Sequence, residues 1–195
     1  MRRGLISIAI FVAFAAIFTL SRHPTATTTT LAATTTTSVS GSTTTSATSA
    51  ATCAGSAFTG TFNQGQGAAG TVYASITLTK STAGTCTVHG WPTLTLQDTT
   101  GGLLSVSLAL VPSSGNAIQF SAPQANRAPT TLTLHQGSST NFSLAYSQVQ
   151  TGTTTCESAA TISVQFSKNQ SSVAVTPSYP ITPCNNGKIW VSPFY

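Results

Sequence analysis

Three features of the sequence predict an all-β domain. Apolar and polar residues alternate with a period of two in several short segments, which is the pattern of strands with one buried face. Turn-forming residues separate these segments, and no segment after residue 52 has the spacing of an amphipathic helix. Four cysteines lie in the same region. We therefore expect a two-sheet antiparallel β-sandwich of immunoglobulin-like type that contains two disulfides.

Residues 1–22 have the composition of a targeting segment. Arg2 and Arg3 precede a mainly apolar run from Leu5 to Leu20. As a helix of about 24 Å, this run fits a signal peptide and is slightly short for a bilayer core of about 30 Å. No clear small-x-small cleavage site follows, so a cleaved signal peptide and a retained membrane anchor in the form of a transmembrane helix both stay open. In either case the positive start predicts that the rest of the chain lies outside the cytoplasm.

Residues 23–52 form a tract rich in Thr, Ser and Ala. Thr and Ser contribute 19 of the 28 residues from Thr25 to Thr52, and Ala contributes six more. Such a composition buries too little apolar surface to offset the entropy of ordering the chain, so we expect a disordered linker. It would act as a stalk or a passive spacer in front of the domain.

The predicted strands lie in residues 53–195, a typical length for one domain. In the first long strand Val72, Ala74, Ile76 and Leu78 alternate with Tyr73 and with hydroxyl residues. The same alternation recurs in residues 104–110, 132–134, 142–146, 162–166 and 173–175. Thr suits the solvated face of such strands because its β-branch fits a pleated surface. Clusters of Gly, Asn and Ser mark the turns between them.

The four cysteines are predicted to form structural disulfides, because the chain is expected to be exported. Three pairings are possible for Cys53, Cys86, Cys156 and Cys184. We favour Cys53–Cys86 and Cys156–Cys184, since each bond would then clip one end of the domain to a nearby strand or turn. The wide spacing of the cysteines does not fit a metal cluster.

The chain is unusually poor in charge. Only nine of 195 residues are Asp, Glu, Lys or Arg, and the net charge of +5 includes three arginines that flank the apolar run. Beyond residue 22, four scattered cations accompany two acids, without the basic stripe or interleaved aromatics of a nucleic-acid interface. We therefore predict no nucleic-acid partner and a surface solvated by hydroxyl and amide groups.

Several short motifs resemble a known family. They are Cys53, the segment CTVHGWP at 86–92, LHQG at 134–137, Cys156, and Cys184 followed by GKIWVSP at 187–193. Together they resemble the DUF4232 family, a domain of unknown function found in secreted and envelope-attached actinobacterial proteins, over nearly all of residues 53–193. The resemblance implies an extracytoplasmic β-sandwich and supplies no catalytic residues.

Few residues have the chemistry of a catalytic or metal site. The string GQGAAG at 65–70 matches a dinucleotide-binding pattern, but a strand is predicted to follow it where that fold needs a helix. Asp98 and Glu157 share no motif; we expect Asp98 to bond the backbone of its own turn and Glu157 to be exposed. His89 and His135 are predicted at solvent or rim positions. We therefore assign no catalytic residue, no metal ligand and no cofactor.

Trp91 and Trp190 are the candidates for ligand contact. Exposed indoles on a Thr-rich sheet can stack on sugar rings, whereas packing beside a disulfide or in the core is the structural alternative. We expect an extracytoplasmic, non-catalytic cell-envelope module with a binding or structural role, whose partner is an unidentified envelope polysaccharide or protein. The alternatives are a carbohydrate-binding protein, or an enzyme that acts on envelope polymers through Asp98, Glu157 or the histidines.

Overall fold

The computed structural model describes residues 50–113, 115, 118–153 and 155–195. The predicted targeting segment and nearly all of the predicted linker lie outside these ranges. Within them, no helix is long and apolar enough to cross a membrane.

Short strands make up most of the regular structure of the described residues. They are β1 (Phe58–Ala68), β2 (Thr71–Lys80), β3 (Cys86–Val88), β4 (Thr93–Gln97), β5 (Leu103–Leu104), β6 (Ser107–Leu110), β7 (Leu132–Leu134), β8 (Ser139–Ser147), β9 (Thr161–Gln165), β10 (Val173–Val175) and β11 (Lys188–Val191). One helical turn, α1 (Cys184–Gly187), leads into β11, and short 3-10 turns span Gly55–Ala57 and Pro123–Asn126.

The strands build the predicted β-sandwich. One sheet has the order β1-β2-β8-β11-β6, a second has the order β10-β9-β4-β5, and β3 and β7 pair as a two-stranded ribbon. Buried side chains of all three form one continuous core. The all-β fold is therefore confirmed, while the immunoglobulin-like strand arrangement stays a prediction.

Two details of the predicted topology are wrong. β11 pairs with β6 in parallel, with Ile189 opposite Leu108, so the first sheet is not purely antiparallel. The single strand expected at 104–110 is two strands in different sheets, with β5 in the second sheet and β6 in the first. The chain crosses between the sheets at Ser105 and Val106. Alternation continues through this crossing because Val106 still packs against the core, so the sequence pattern gives no sign of it.

The glycine-rich segment 65–70 lies partly in β1 and partly in the turn that follows it. β1 continues through a bulge between Gln64 and Gly67 and ends at Ala68. Ala69 and Gly70, both with positive φ, form the tight turn into β2. A strand follows the motif, as predicted, so the helix N-terminus of a dinucleotide site is missing at this position.

The pair of strands β2 and β8 lies at the centre of the first sheet. Nine residue pairs run in register from Thr71 opposite Ser147 to Thr79 opposite Ser139. On the inner side they bury Ile76, Leu78, Phe142 and Leu144, which share one core with residues of the second sheet such as Ile162, Val164 and Leu96. Burial of such side chains is worth about 1.5–3 kcal/mol each, and it is the main driving force for this fold.

The inner face of β2 ends with a buried cation. Lys80 is 3% exposed. Its Nζ donates to the Thr82 carbonyl at 2.7 Å, to the Thr82 hydroxyl at 3.0 Å and to the Ala83 carbonyl at 3.1 Å. Three acceptors match the three donors of an ammonium group, so the turn after β2 satisfies the charge without a carboxylate.

Both disulfides have the pairing that the sequence favoured. Cys53 bonds Cys86 across 33 residues, and Cys156 bonds Cys184 across 28 residues. The first joins the start of the domain to β3, and the second joins the segment before β9 to α1. Each bond closes a long loop and so restricts the unfolded chain. Two disulfides indicate that the protein folds in an oxidising, extracytoplasmic environment.

One glycine in β1 is required by close packing. Gly60 lies opposite Leu78 on the inner side of β1. A Cβ atom at this position would lie 2.4 Å from Cγ2 of Val175 in β10. Val175 is itself buried, so its short side chain has no room to move away. The absence of a side chain at Gly60 therefore lets β1 pack against β10.

We expect the Cys156→Ala/Cys184→Ala double variant to lose about 3–4 kcal/mol of unfolding free energy, the chain-entropy value for a closed loop of this length. Chemical denaturation of the double variant and of the wild type measures the difference. The wild type under reducing conditions serves as a comparison in which both bonds are absent. Equal stability of the double variant and the oxidised wild type would contradict a structural role for this bond.

We expect Gly60→Ala to lower the unfolding free energy by about 1–3 kcal/mol, the usual cost of overpacking a core. Gly67→Ala is the matched control in the same strand, because its Cβ would lie 3.5 Å from the nearest atom, the Thr71 carbonyl oxygen. Thermal unfolding of both variants measures the effect. Equal midpoints for Gly60→Ala and Gly67→Ala would show that β10 does not pack against Gly60 as described.

Candidate functional site

The outer face of the first sheet is polar but carries almost no charge. Rows of hydroxyl and amide side chains from β1, β2 and β8 lie side by side across the strands. Thr77 accepts a hydrogen bond from Nδ2 of Asn63 at 2.9 Å and donates one to Oδ1 of Asn141 at 2.7 Å. The hydroxyls of Thr79 and Ser139 lie 2.8 Å apart. Neutral cross-strand hydrogen bonds therefore order this surface.

Residues 118–127, which belong to the segment after β6, fold over one side of this face. Phe120 and Ala125 of this segment pack with Val111 on Ala145, which points outward from β8. The Asn126 side chain fixes the segment by accepting from the Phe120 amide at 2.8 Å and donating to the Phe120 carbonyl at 2.7 Å. Buried apolar contacts and this local amide pair together hold the segment in one place.

A groove of about 690 Å³ lies between this segment and the β1–β2 hairpin. Its volume is within the range of small-molecule sites, about 300–1,000 Å³. Its lining combines amides, hydroxyls and aromatic rings with three alanines and one glycine. The lining residues are Asn63, Gln64, Gly65, Gln66, Ala68, Tyr73, Ala74, Ser75, Gln119, Phe120, Ser121, Ala122, Ser143 and Tyr195. None of these residues has a charged side chain.

Two tyrosines form aromatic parts of the groove wall. Tyr73 points outward from β2 and meets Phe120 edge to face, with ring centroids 6.3 Å apart and an interplanar angle of 87°. Tyr195 is held by backbone hydrogen bonds in both directions with Asn141, at 2.8 and 2.9 Å. Its hydroxyl lies 2.8 Å from the Ser143 hydroxyl on the groove floor. Both rings are half-buried, so part of each one faces solvent.

A second cleft of about 510 Å³ lies near the Cys156–Cys184 bond. Glu157 lines it together with hydroxyl and amide side chains, including those of Ser105 and Asn186. The backbone of α1 is left-handed at Asn185, Asn186 and Gly187, residue types that tolerate this conformation. A Cβ on Gly187 would lie 2.0 Å from the Ser105 carbonyl oxygen, so glycine is needed where α1 meets the chain between the sheets.

Asp98 has the turn role that the sequence predicts. Its Oδ1 accepts hydrogen bonds from the Thr100 hydroxyl at 2.7 Å, from the Thr100 amide at 2.7 Å and from the Gly102 amide at 2.8 Å. These bonds, that of the Thr100 hydroxyl first, lower the pKa of Asp98 below its usual value. A carboxylate held in this way stabilises the turn between β4 and β5, and it does not line either cleft.

The remaining candidate residues do not form a reaction centre. Glu157 is exposed, as predicted. His89 follows β3 and His135 follows β7, and since these strands are antiparallel the two exposed histidines lie at opposite ends of the ribbon. Nδ1 of His135 lies 3.0 Å from the Thr85 hydroxyl. In the described part of the chain, no three His, Cys, Asp or Glu residues are grouped so that they could hold a metal ion.

The two tryptophans are half-buried, and neither lines the groove. Trp91 packs against the main core and donates from its indole nitrogen to the Val111 carbonyl at 2.8 Å. Trp190 packs against the outer cluster formed with Ala145, and Nζ of Lys188 lies 4.8 Å from its ring centroid. These contacts give both rings structural roles. A contact with a ligand at either residue stays a prediction.

Sequence reasoning did not select the groove residues. Tyr73 occupies a polar-face position in the predicted strand 71–79, and an aromatic ring at such a position is the signal that was available. Tyr195 gives no such signal, because its place depends on the pairing of the chain end with β8. The groove joins segments that are distant in sequence, so no linear motif marks it.

Comparison with protein families identifies one match. The model of the domain of unknown function DUF4232 matches residues 53–195. The chain belongs to the DUF4232 family. The match covers the sandwich and both disulfides, and it confirms the resemblance seen in the sequence motifs. No curated protein and no solved structure matches the chain.

We expect an Asp98 pKa below the usual carboxyl value in a carbon-detected NMR titration. Because the folded-state pKa is the lower one, the ionised group stabilises the fold above about pH 4, and this stabilisation is lost as pH falls through the folded-state pKa. Asp98→Ala should therefore unfold at a lower temperature than the wild type at pH 7, with a smaller difference at pH 2. Glu157→Ala, which removes an exposed acid, is the control. A pH-independent difference for Asp98→Ala would contradict this account.

Proposed function

We propose that this DUF4232 domain is an exported, non-catalytic module that binds an uncharged component of the cell envelope in the groove between the β1–β2 hairpin and the segment after β6. The proposal rests on the absence of charged side chains among the described residues that line this groove. Ligand sites are concave and offer a few fixed polar groups beside aromatic surface, and this groove has both. Its neutral side chains favour a neutral ligand, because a charged ligand would lose hydration without gaining an ion pair with a side chain.

The disulfides and the order of segments along the chain support the extracytoplasmic location in this proposal. Two disulfides favour an oxidising compartment. Residues 1–22 would direct export or anchor the protein, and the Thr- and Ser-rich residues 23–52 would space the domain from the membrane surface. A module displayed in this way would lie within reach of envelope polymers.

The non-catalytic part of the proposal rests on the positions of the reactive groups. Acid–base hydrolysis of a glycosidic bond uses two carboxyl groups about 5–9.5 Å apart across the scissile bond. Glu157 lines its cleft without a second acid among the described lining residues. Asp98 uses its carboxylate within its own turn. The disulfide-bonded cysteines cannot supply a thiolate nucleophile.

Cosedimentation of the detergent-solubilised full-length protein with detergent-washed cell-wall material tests this function. We expect the wild type to pellet with the wall material, and Ser121→Trp to reduce the pelleted fraction at least about fivefold, because an indole at this groove position fills the space for a ligand. Ser178→Trp adds the same side chain at an exposed position that does not line the groove.

Three results of this experiment decide between the possibilities. Equal binding by Ser121→Trp and Ser178→Trp would exclude the groove as the binding site. Failure of the wild type to pellet would exclude the proposed function. Release of soluble fragments from the wall material by the wild type but not by Glu157→Gln would show that the domain is an enzyme.

A further inference from the structure

We propose that the groove binds a neutral saccharide, with Tyr73 stacking on a sugar ring and the amides of Asn63, Gln64 and Gln119 bonding its hydroxyls. This inference rests on the proposed function and names the ligand class for the same groove. It assigns recognition to Tyr73 and the amides, in place of the two tryptophans that the sequence suggested.

The first argument is the match between the polar groups and a sugar. A side-chain amide offers two donors and an acceptor on one plane, and a sugar carries hydroxyl groups that both donate and accept. Gln64 and Gln119 are exposed at the groove. Asn63 uses Nδ2 to reach Thr77, which fixes its side chain and leaves an amide oxygen able to accept. Hydrogen bonds between these amides and sugar hydroxyls join neutral groups, so they need no charged residue in the groove.

The second argument is the available aromatic surface. The C–H face of a sugar ring packs on the π face of an aromatic ring. The contact between Tyr73 and Phe120 is perpendicular, so each ring uses at most one face for the other. Phe120 is buried and Tyr73 is half-buried. Tyr73 is therefore the ring of this pair that can present a face to a ligand.

The third argument favours a saccharide over an extended peptide as the ligand on the groove floor. Peptides that bind to sheets usually do so by pairing with free backbone groups at a strand edge. The groove floor comes from β2 and β8, whose backbones pair with each other and, on their other sides, with β1 and β11. β1 is an edge strand of this sheet and lines one wall, but a peptide paired with that edge would lie beside the sheet and not on the floor. A ligand on this floor must be recognised through side chains. Besides alanines, the side chains present are amides, hydroxyls and rings.

The fourth argument is that the groove walls are held in place. Tyr195 is fixed by its two backbone bonds to Asn141 and by the Ser143 hydroxyl. Phe120 is fixed by both ends of the Asn126 amide. A ligand that binds to fixed walls loses less free energy to ordering of the protein. This favours measurable binding of a small, weakly interacting ligand such as an oligosaccharide.

The test is isothermal titration calorimetry on the full-length protein in a detergent with a poly(ethylene glycol) head group, because glycoside detergents themselves present sugars. The neutral probes are hexamers of glucose, mannose, arabinose and N-acetylglucosamine. A galacturonic acid hexamer is the charged probe. We expect at least one neutral hexamer to bind, and the charged hexamer to bind at least about tenfold more weakly.

Variants identify the site of binding. Tyr73→Ala and Gln64→Ala should each weaken binding about tenfold, which corresponds to about 1.4 kcal/mol. Tyr179→Ala is the matched aromatic control, since Tyr179 is exposed and does not line the groove. Gln64 is exposed, so its variant tests the groove even if Tyr73→Ala is less stable. Unchanged thermal unfolding confirms that each variant is folded.

Several outcomes would overturn the inference. They are failure of every neutral hexamer to bind, tighter binding of the charged hexamer, and full binding by both Tyr73→Ala and Gln64→Ala. Loss of binding in Trp190→Ala with retention in the groove variants would place the saccharide at the tryptophan. If wall material still pellets with the wild type while no hexamer binds, the saccharide inference fails and the proposed function stands. If the wild type neither pellets with wall material nor binds a hexamer, both the saccharide inference and the proposed function fail.

Discussion

The pairing of β2 with β8 is the interaction on which the rest of the molecule depends. Its nine-residue register sends one set of side chains into the core and the next set onto the outer face. Leu78 and Phe142 are buried by the same pairing that places Tyr73 and Ser143 at the groove. A slip of one residue would exchange the two faces of a strand. Core and groove are therefore specified together.

The sequence predicts those parts of the fold that alternation can encode. Strands β2, β9 and β10 bury one face and leave the other at least partly exposed, so their patterns are clear. β8 also shows alternation in its sequence, although its outward residues Ser143 and Ala145 are buried. β1 was missed because most of its residues are exposed and glycine interrupts it. The change of sheet at Ser105 was missed because alternation continues through it. β6 and β11 are distant in sequence, and their parallel pairing depends on the path of the chain between them. The local sequence pattern of each strand contains no information on that path.

The candidate site was harder to predict than the fold, for a physical reason. Asp98 could be assigned to its turn because a carboxylate followed by Thr-Thr-Gly-Gly bonds locally. Groove residues such as Tyr73, Phe120 and Tyr195 meet only after the sheet is paired and the segment after β6 has packed on it. Trp91 and Trp190 drew attention by their size, but they mainly pack within the protein. Where function depends on neutral side chains from separate segments, no single residue type reveals it.

The first disulfide also determines how the domain responds to mechanical tension. The bond between Cys53 and Cys86 turns residues 54–85 into a closed covalent loop. Ala51 and Cys53 also bond the backbone of Thr87 at 2.9 Å. A pull applied at Thr52 is therefore transmitted through sulfur to β3, and the hairpin of β1 and β2 cannot be drawn out end to end. Tension between Thr52 and the chain beyond Cys86 therefore bypasses that hairpin, which forms one wall of the groove.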